Sequence, residues 1–188
     1  MPDNRPEIAE QIETARLLIR CPRPGDGAAV CEAVRETLAD LRAWPASLPW
    51  ALAEPSVDSS EAFCREGHAA YRAGTDLPML LFLKAGNAYV GGSGLHRIDW
   101  RLPKFEIGYW CRKRFQGQGL MTEAVAAIAA FALGGLGARR VTSLTDAANL
   151  PSRRVAERAG FLLEGIMRSE RVTPAGEARD TCLYAIAR

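Results

Sequence analysis

Several features that would place this sequence in a well-known class are missing. Its 188 residues include five cysteines but no Cys-x-x-Cys pair. An odd number of cysteines without metal-ligand spacing argues against both a zinc site and a disulfide framework. We therefore interpret Cys21, Cys31, Cys64, Cys111 and Cys182 as reduced thiols, and we expect a cytoplasmic protein with no metal ligand set.

Long hydrophobic runs and a strong net charge are also missing. The longest apolar run, around residues 124–136, is too short to span a bilayer, and the opening MPDNRPEIAEQ is too polar for a signal peptide. With 24 Lys and Arg against 22 Asp and Glu, no global field favours nucleic acid or an anionic membrane. We expect a soluble protein with neither partner. Residues 1–188 fit a single domain, in which residues 1–12 form a loose lead-in.

The most informative stretch is FEIGYWCRKRFQGQGLM, at residues 105–121. Its first part, Phe105–Cys111, is rich in aromatic and β-branched residues and predicts a strand with Glu106, Gly108 and Trp110 on one face. A basic turn follows, and then apolar side chains recur at helical spacing from Thr122 onward. The stretch therefore reads as strand, turn and helix.

The turn has the properties of an anion site. Gly117 and Gly119 carry no Cβ, so the backbone there can approach a ligand closely. The unpaired N–H groups and the dipole of the following helix favour a pyrophosphate, and the neighbouring Arg112, Lys113 and Arg114 are expected to raise the positive potential. Alternatively, the two glycines merely close a strand–helix turn.

Other phosphate-binding loops fit less well. A Walker A loop needs a Lys-Ser/Thr pair after its second glycine, where this sequence has Leu120 and Met121. A dinucleotide fingerprint needs a third glycine and an acidic residue about 20 positions further on. Both are missing, which disfavours a nucleotide-binding switch.

The run QGQGLMTEA after EIGYW resembles the cofactor motif of the GNAT acyltransferases, with Gln116 and Gly119 at matching positions. Met121 departs from the usual Gly or Ala, but the EIGYW strand resembles the RimJ/RimL branch of N-terminal acetyltransferases. Similar segments lie at residues 14–20 (TARLLIR), at residues 48–50 (LPW) and at residues 149–161 (NLPS…AGF), so the resemblance covers nearly the whole chain.

The resemblance implies that acetyl-CoA binds and that CoA leaves as a product. The pyrophosphate would lie on main-chain N–H groups, Asn149 would reach the pantetheine arm, and Ser152 would lie near the thioester sulfur. From its sequence position alone, Asn149 is also a sufficient helix cap. The cofactor contacts we expect are Trp110, Cys111, Arg112, Gln116, Gly117, Gln118, Gly119, Leu120, Met121, Thr122, Asn149 and Ser152.

The remaining sequence predicts an α/β (α+β) domain with a mixed central sheet and flanking helices. A βαβ connection should place residues 141–145 parallel to Phe105–Cys111, and two parallel neighbours that splay apart would leave a cleft. The other expected strands are residues 15–20, 80–85, 88–97, 161–167 and 179–187, and the other helices are 27–44, 58–73 and 150–158.

The chemistry needs few residues, because an amine can attack a thioester directly once both are held in line. A backbone N–H around Cys111 could polarise the carbonyl, and Glu106 is the first candidate for removing the ammonium proton, with His96 or Glu170 behind it. Glu106 and His96 each also fit an ordinary strand position. For the departing thiolate, the resemblance favours Ser152 first and Tyr184 second, although Tyr184 fits a core position equally well.

Two tryptophans mark the expected acceptor side. Trp44 and Trp50 lie on a proline-rich loop between the first two helices, where large apolar side chains either cover a groove or plug the loop. Together with His96, they are the expected substrate contacts.

The leading hypothesis is an acetyl-CoA-dependent N-acetyltransferase acting on a primary amine, in particular the N-terminus of a ribosomal or other protein. The resemblance is also compatible with a homodimer. Two alternatives stay open: an acetyltransferase for a small-molecule amine such as a polyamine or an antibiotic, and a CoA-binding sensor without turnover.

Overall fold

A computed structural model describes residues 6–188, so the start of the expected lead-in lies outside the described residues. The chain alternates strands and helices, as the sequence predicts. In chain order the elements are β1 Gln11–Glu13, β2 Leu17–Arg20, α1 Gly27–Arg42, α2 Val57–Ala73, β3 Leu77–Leu83, β4 Tyr89–Asp99, β5 Lys104–Cys111, α3 Leu120–Gly134, β6 Arg140–Asp146, α4 Leu150–Arg158, β7 Leu162–Val172 and β8 Ala178–Ala187. Short 3-10 turns lie at Pro49–Leu52 and Lys113–Phe115.

All eight strands form one mixed sheet in the order β1-β2-β3-β4-β5-β6-β8-β7. The neighbours β5 and β6 are parallel, as predicted, and the other pairs are antiparallel. Pairing between β5 and β6 covers only Lys104–Glu106 against Arg140–Thr142. Beyond these residues the two strands separate, which confirms the predicted splay. We call this opening the wedge.

Helices cover both faces of the sheet, and each face has its own core. One core packs α3 against alternate β5 residues such as Phe105 and Ile107, and we call this side the α3 face. The other core packs α1 against Leu80, Phe82 and the Trp110 ring, and we call this side the α1 face. Because strand side chains alternate, Glu106, Gly108 and Trp110 share the α1 face. No helix within residues 6–188 is long and apolar enough to cross a membrane.

The glycines of β4 leave room for the Trp110 residue of β5. A Cβ built on Gly91, where φ is +152°, would lie 2.3 Å from the Trp110 carbonyl oxygen. A Cβ on Gly92 would lie 2.7 Å from Trp110 Nε1. Close packing of the neighbouring strand therefore explains these two glycines.

Two local predictions at the ends of elements are wrong. The lead-in ends earlier than residue 12, because Gln11–Glu13 already pairs with β2. Helix α1 ends at Arg42, since its next residues turn into the proline-rich loop. Asp26, just before α1, makes no cap hydrogen bond with its side chain, and its carboxylate accepts two hydrogen bonds of 2.7 Å from Arg20 instead.

Two serines cap the start of α2, one residue before the predicted start. The backbone N–H of Ser59 donates to Oγ of Ser56 at 3.0 Å, and Oγ of Ser59 accepts in return from the N–H of Ser56 at 3.2 Å. This reciprocal capping box begins the helix at Val57.

Candidate active site

The wedge turns backbone donors of β5 toward open space. The N–H of Arg112 donates to the Val90 carbonyl of β4 at 2.7 Å. Because N–H groups alternate in direction along an antiparallel strand, the N–H groups of Cys111 and Tyr109 point away from β4. At that level β6 no longer pairs with β5, so these donors face the wedge. The Cys111 N–H, the predicted donor to the carbonyl, is thus one of the donors that face the wedge.

The glycine loop has the backbone geometry expected of an anion site. Gly117 and Gly119 both adopt φ of +74°, a left-handed conformation that favours glycine. Helix α3 begins at Leu120 with no side-chain cap. Within the described chain, the backbone N–H groups of residues 117–122 make no hydrogen bond. The Leu120 and Met121 side chains are buried in the core, so these two residues can contribute only main-chain groups.

A residue that the sequence reasoning missed anchors this loop. Arg16 donates from Nη1 to the carbonyl of Gln118 at 3.0 Å and pairs through Nε with Glu123 of α3 at 2.7 Å. Thr14 Oγ1 also donates to Glu123, at 2.6 Å. Since Arg16 is more than 100 positions away in sequence, only the fold shows that it fixes the loop.

The basic turn does not raise the positive potential as expected, because carboxylates of α1 neutralise it. Arg112 pairs with Glu32 at 2.5 Å and with Glu36 at 2.8 Å, and its side chain is only 6% exposed. Arg114 also pairs with Glu36, and Lys113 pairs with Asp40.

Glu36 therefore lies between two guanidinium groups. Hydrogen bonds from Arg114, more than those from Arg112, lower the pKa of Glu36 to about 2. These ion pairs hold the end of β5 against α1, and the Arg112 side chain is occupied by the α1 carboxylates. The Gln116 amide points the same way, donating to the Cys111 carbonyl at 3.3 Å and to Asp40 at 3.5 Å.

Asn149 and Ser152 lie at the start of α4, beside the wedge. The Asn149 Oδ1 accepts from the Ser152 N–H at 3.2 Å, so Asn149 caps this helix. The Ser152 carbonyl accepts from the Tyr109 hydroxyl of β5 at 2.8 Å. Apart from an interaction with the nearby Tyr109 hydroxyl, the Ser152 hydroxyl has no hydrogen-bond partner within residues 6–188, so it can bind a ligand.

Tyr184, the second candidate for protonating the thiolate, is fully buried. Its hydroxyl donates to Glu157 at 2.7 Å and accepts from Nε of Arg153 at 3.0 Å. Burial raises the pKa of Tyr184. The hydroxyl thus has two protein partners, in contrast to that of Ser152.

The two candidate bases share the α1 face. Glu106 is partly exposed, and Arg97 approaches its carboxylate at 3.6 Å. His96 is the cross-strand neighbour of Glu106, and its Nδ1 lies 2.7 Å from Oδ1 of Asp76. The structure therefore brings Glu106 and His96 together at the narrow end of the wedge, where β5 and β6 begin to separate.

The expected aromatic residues are divided between two places. Trp50 is exposed, and its ring centroid lies 6.1 Å from that of Trp110. Trp110 also contacts Tyr89 at 6.0 Å. These side chains lie on the α1 face, whereas the glycine loop leads into α3 on the other face. Trp44 follows the end of α1, where its N–H donates to the Leu41 carbonyl at 3.1 Å, and it takes no part in this aromatic group.

An open cavity of about 400 Å³ lies at the same side of the sheet. One wall comes from the end of α1 and the proline-rich loop, and the other from the β7–β8 turn. Asp146 and Arg179 lie at its edge with two hydrogen bonds of 2.9 Å between them. Burial raises the pKa of Asp146, but the hydrogen bonds from Arg179 and from the Ala148 N–H, together with the charges of Arg179 and Arg171, outweigh it, and the pKa is lowered. The sequence reasoning missed this pair.

Residues 16–162 match the family model described as "Acetyltransferase (GNAT) domain", which is more than half of the chain. The chain belongs to the GNAT acetyltransferase family. Its fold, with an eight-stranded mixed sheet and four helices, is the GNAT fold, as the sequence resemblance implied.

Curated relatives match over part of this GNAT chain. The Bacillus subtilis (strain 168) protein named "Putative ribosomal N-acetyltransferase YdaF" is 39% identical over 87 residues, which is 44% of this chain and 48% of the relative. "Probable N-acetyltransferase YjcK" of the same organism is 44% identical over 89 residues, or 47% of this chain and 49% of the relative. The chain thus aligns with about half the length of each.

Solved GNAT structures match almost the whole chain. RimL, a ribosomal L7/L12 α-N-protein acetyltransferase in complex with coenzyme A, superposes with a TM-score of 0.85 at 24% identity, covering 95% of this chain and 98% of RimL. Mycobacterium smegmatis RimJ in complex with CoA-disulfide superposes with a TM-score of 0.76 at 26% identity, covering 91% and 81%. The first likeness concerns the fold alone.

The residues of this GNAT chain fit a CoA-type ligand. The consecutive free N–H groups of residues 117–122 suit a pyrophosphate, and the wedge donors suit an extended amide-containing arm. No group of three or more His, Cys, Asp or Glu within residues 6–188 is arranged to hold a metal ion.

Proposed function

We propose that this protein transfers the acetyl group of acetyl-CoA to a primary amine at a protein N-terminus. The observation that carries the proposal is that the wedge beside β5 and the glycine loop at the start of α3 lie within one continuous stretch of the chain. Membership of the GNAT family supports the reaction class. Acetyl-CoA, when bound, supplies the acetyl group as a thioester.

Main-chain groups hold the cofactor in this proposal. The N–H groups from Gly117 to Thr122 bind the pyrophosphate, and the helix dipole of α3 adds to the attraction. Arg16 keeps the loop in shape by holding the Gln118 carbonyl. The Arg112 side chain pairs with carboxylates of α1, so its contribution to cofactor binding is indirect.

Three residues then act on the reacting groups. The Cys111 N–H donates to the carbonyl oxygen as negative charge develops there. The Ser152 hydroxyl donates to the sulfur, for which it is better placed than the doubly engaged Tyr184 hydroxyl. One of the two bases on the α1 face, Glu106 or His96, takes the ammonium proton.

The acceptor enters from the α1 face. The cavity between the proline-rich loop and the β7–β8 turn opens there, with Trp50 beside Trp110 near it. A groove between two loops suits an extended peptide end better than a compact metabolite. The names of the relatives, several of them ribosomal N-acetyltransferases, support a ribosomal protein as acceptor.

A cytoplasmic location agrees with this substrate class. All five cysteines are free, and four of them are buried. Unpaired cysteines are typical of proteins that stay in a reducing compartment.

The test is to incubate the purified protein and labelled acetyl-CoA with a cell lysate. We expect label on protein N-termini, identified by mass spectrometry of the labelled proteins. Label in the small-molecule fraction would favour an acetyltransferase for polyamines or antibiotics. Binding of acetyl-CoA without any labelled product from the lysate or from an amine panel would favour a CoA sensor.

A further inference from the structure

An aspartate–histidine pair lies in one cross-strand row with Glu106. Leu77 of β3 is opposite Leu95 of β4, so Asp76 and His96 are the next opposed residues. Their Oδ1 and Nδ1 atoms are 2.7 Å apart. His96 is in turn opposite Glu106 of β5. The row therefore runs from the carboxylate of Asp76, through the imidazole, to the residue at which the wedge begins.

Two glycines admit the imidazole ring in this orientation. A Cβ on Gly94 would lie 2.9 Å from both Cε1 and Nε2 of His96, which is closer than real Cβ atoms come to other atoms. A Cβ on Gly108 would lie 3.8 Å from Nε2. The Nε2 edge of the ring thus lies over Gly94 and Gly108. Gly108 lies two residues beyond Glu106, the last residue of β5 that pairs with β6, so this edge of the ring lies over the part of β5 that borders the wedge.

The two nitrogens of the ring have different surroundings. Nδ1 is occupied by Asp76, whereas Nε2 makes no hydrogen bond to any residue in the described part of the chain. An aspartate that accepts from Nδ1–H leaves the lone pair on Nε2, which is the tautomer that a base needs. With 37% of its side chain exposed, the imidazole can also exchange a proton with solvent.

Glu106 is less available as a base than its position suggests. The Arg97 guanidinium lies 3.6 Å from its carboxylate. Arg97 adopts a left-handed conformation with φ of +49°, at an irregularity where the β4–β5 register shifts after His96. Irregularities of this kind re-aim side chains next to active sites.

We propose that His96 is the base that takes the proton of the acceptor ammonium, and that Asp76 is its positioning residue. This inference rests on the proposed function. In the step, an N–H bond of the ammonium breaks and an Nε2–H bond forms, and the freed electron pair forms the N–C bond to the carbonyl carbon. The C–S bond then breaks, and CoA leaves as a thiol after the second proton of the amine has passed to the sulfur. The imidazolium is stabilised by Asp76 and then releases its proton to water. The Glu106 carboxylate attracts the ammonium electrostatically and takes no proton in the step.

The test uses variants assayed with a peptide carrying a free N-terminal serine and with spermidine, each offered with acetyl-CoA. His96→Ala should lower kcat roughly 10²-fold, with little change in the KM of the acceptor. Added imidazole should restore part of the rate, because the truncated side chain leaves room for it. The matched control is His68→Ala. His68 is the other histidine of the sequence; it lies on α2, and its ring is hydrogen-bonded to the Pro22 carbonyl.

Asp76→Asn should lower kcat about as much, but without rescue by imidazole. An amide can donate to Nδ1, which would place the hydrogen on Nε2 and remove the lone pair. Glu106→Gln should raise the KM of the acceptor more than it lowers kcat. Thermal unfolding and calorimetric binding of acetyl-CoA should be unchanged for Asp76→Asn, so its loss of rate would not reflect misfolding.

Equal kcat for His96→Ala and His68→Ala, or a kcat loss confined to Glu106→Gln, would overturn the assignment while leaving the proposed function in place. If the unaltered protein acetylated no amine at all, the proposed function would fall, and the assignment of His96 with it.

Discussion

The Tyr109 hydroxyl donates a hydrogen bond to the Ser152 carbonyl, and the two oxygens are 2.8 Å apart. This bond crosses the wedge from β5 to the first turn of α4. Burial raises the pKa of Tyr109, so the hydroxyl keeps the proton that it donates. The start of α4 is therefore held at a fixed place relative to the wedge donors, and the bond uses the backbone of Ser152 and not its side chain.

Ser152→Ala should separate the catalytic role of this residue from its structural one. The Tyr109 bond and the Asn149 cap both involve the Ser152 main chain, so we expect a stability loss of at most about 1 kcal/mol. A hydrogen bond that strengthens as the carbon–sulfur bond breaks should instead change kcat, which we expect to fall roughly 10–10³-fold. Steady-state kinetics and calorimetric binding of acetyl-CoA measure the two effects.

Tyr184→Phe is the matched comparison for Ser152→Ala. Because the Tyr184 hydroxyl bonds to Glu157 and Arg153, its removal should cost about 1–2 kcal/mol of unfolding free energy, measured with denaturant. We expect a smaller effect on kcat than for Ser152→Ala. Wild-type kcat in Ser152→Ala together with a large loss in Tyr184→Phe would transfer the proton-donor role to Tyr184.

Gly119→Asp should weaken acetyl-CoA binding by well over tenfold, about 1.4 kcal/mol. The substitution forces a side chain onto a residue with φ of +74° and adds a negative charge next to the pyrophosphate site. Gln118→Ala is the control. The Gln118 side chain bonds to the Arg114 carbonyl and should matter little to the cofactor. Unchanged affinity of Gly119→Asp in calorimetry would remove this loop from the binding site.

Trp50→Ala should lower kcat/KM for the acceptor roughly tenfold or more and leave acetyl-CoA affinity intact. The exposed Trp50 ring stacks at an angle on Trp110 over the α1 face, where the acceptor is proposed to bind. Trp44→Ala is the comparison, because Trp44 lies outside the aromatic group. Equal kcat/KM for wild type and Trp50→Ala would show that this loop contributes to packing and does not contact the acceptor.

Glu36→Gln should make the free energy of unfolding less dependent on pH in the acidic range. The pKa of Glu36 is lowered from 4.5 to about 2, so its ion pairs stabilise the folded state above pH 4.5 and lose that effect as the pH falls toward 2. At neutral pH we expect a loss of about 1–2 kcal/mol, since the cluster is partly screened by solvent. Urea unfolding at pH 7 and pH 3 should show the difference from wild type shrinking in acid. A difference that stays constant with pH would contradict this role of the ion pairs.

The sequence by itself determined the strand, glycine turn and helix of the cofactor loop. Their signals are local, because left-handed glycines and helical spacing act on adjacent residues. The Asn149 cap is equally local, since its partner is three positions away. The parallel pairing of β5 with β6 follows from the handedness of a strand–helix–strand connection.

The tertiary structure alone decided what the charged residues do. The partners of Arg112 on α1 are about 80 positions away, and Arg179 and Asp146 are 33 positions apart. A basic turn looks the same in sequence whether its cations face a phosphate or the carboxylates of another helix. The difference arises when folding sets the helix against the strand, and a contact between distant segments leaves no periodicity to read. The Asp76–His96 pair is of the same kind, because it depends on strand register rather than on spacing along the chain.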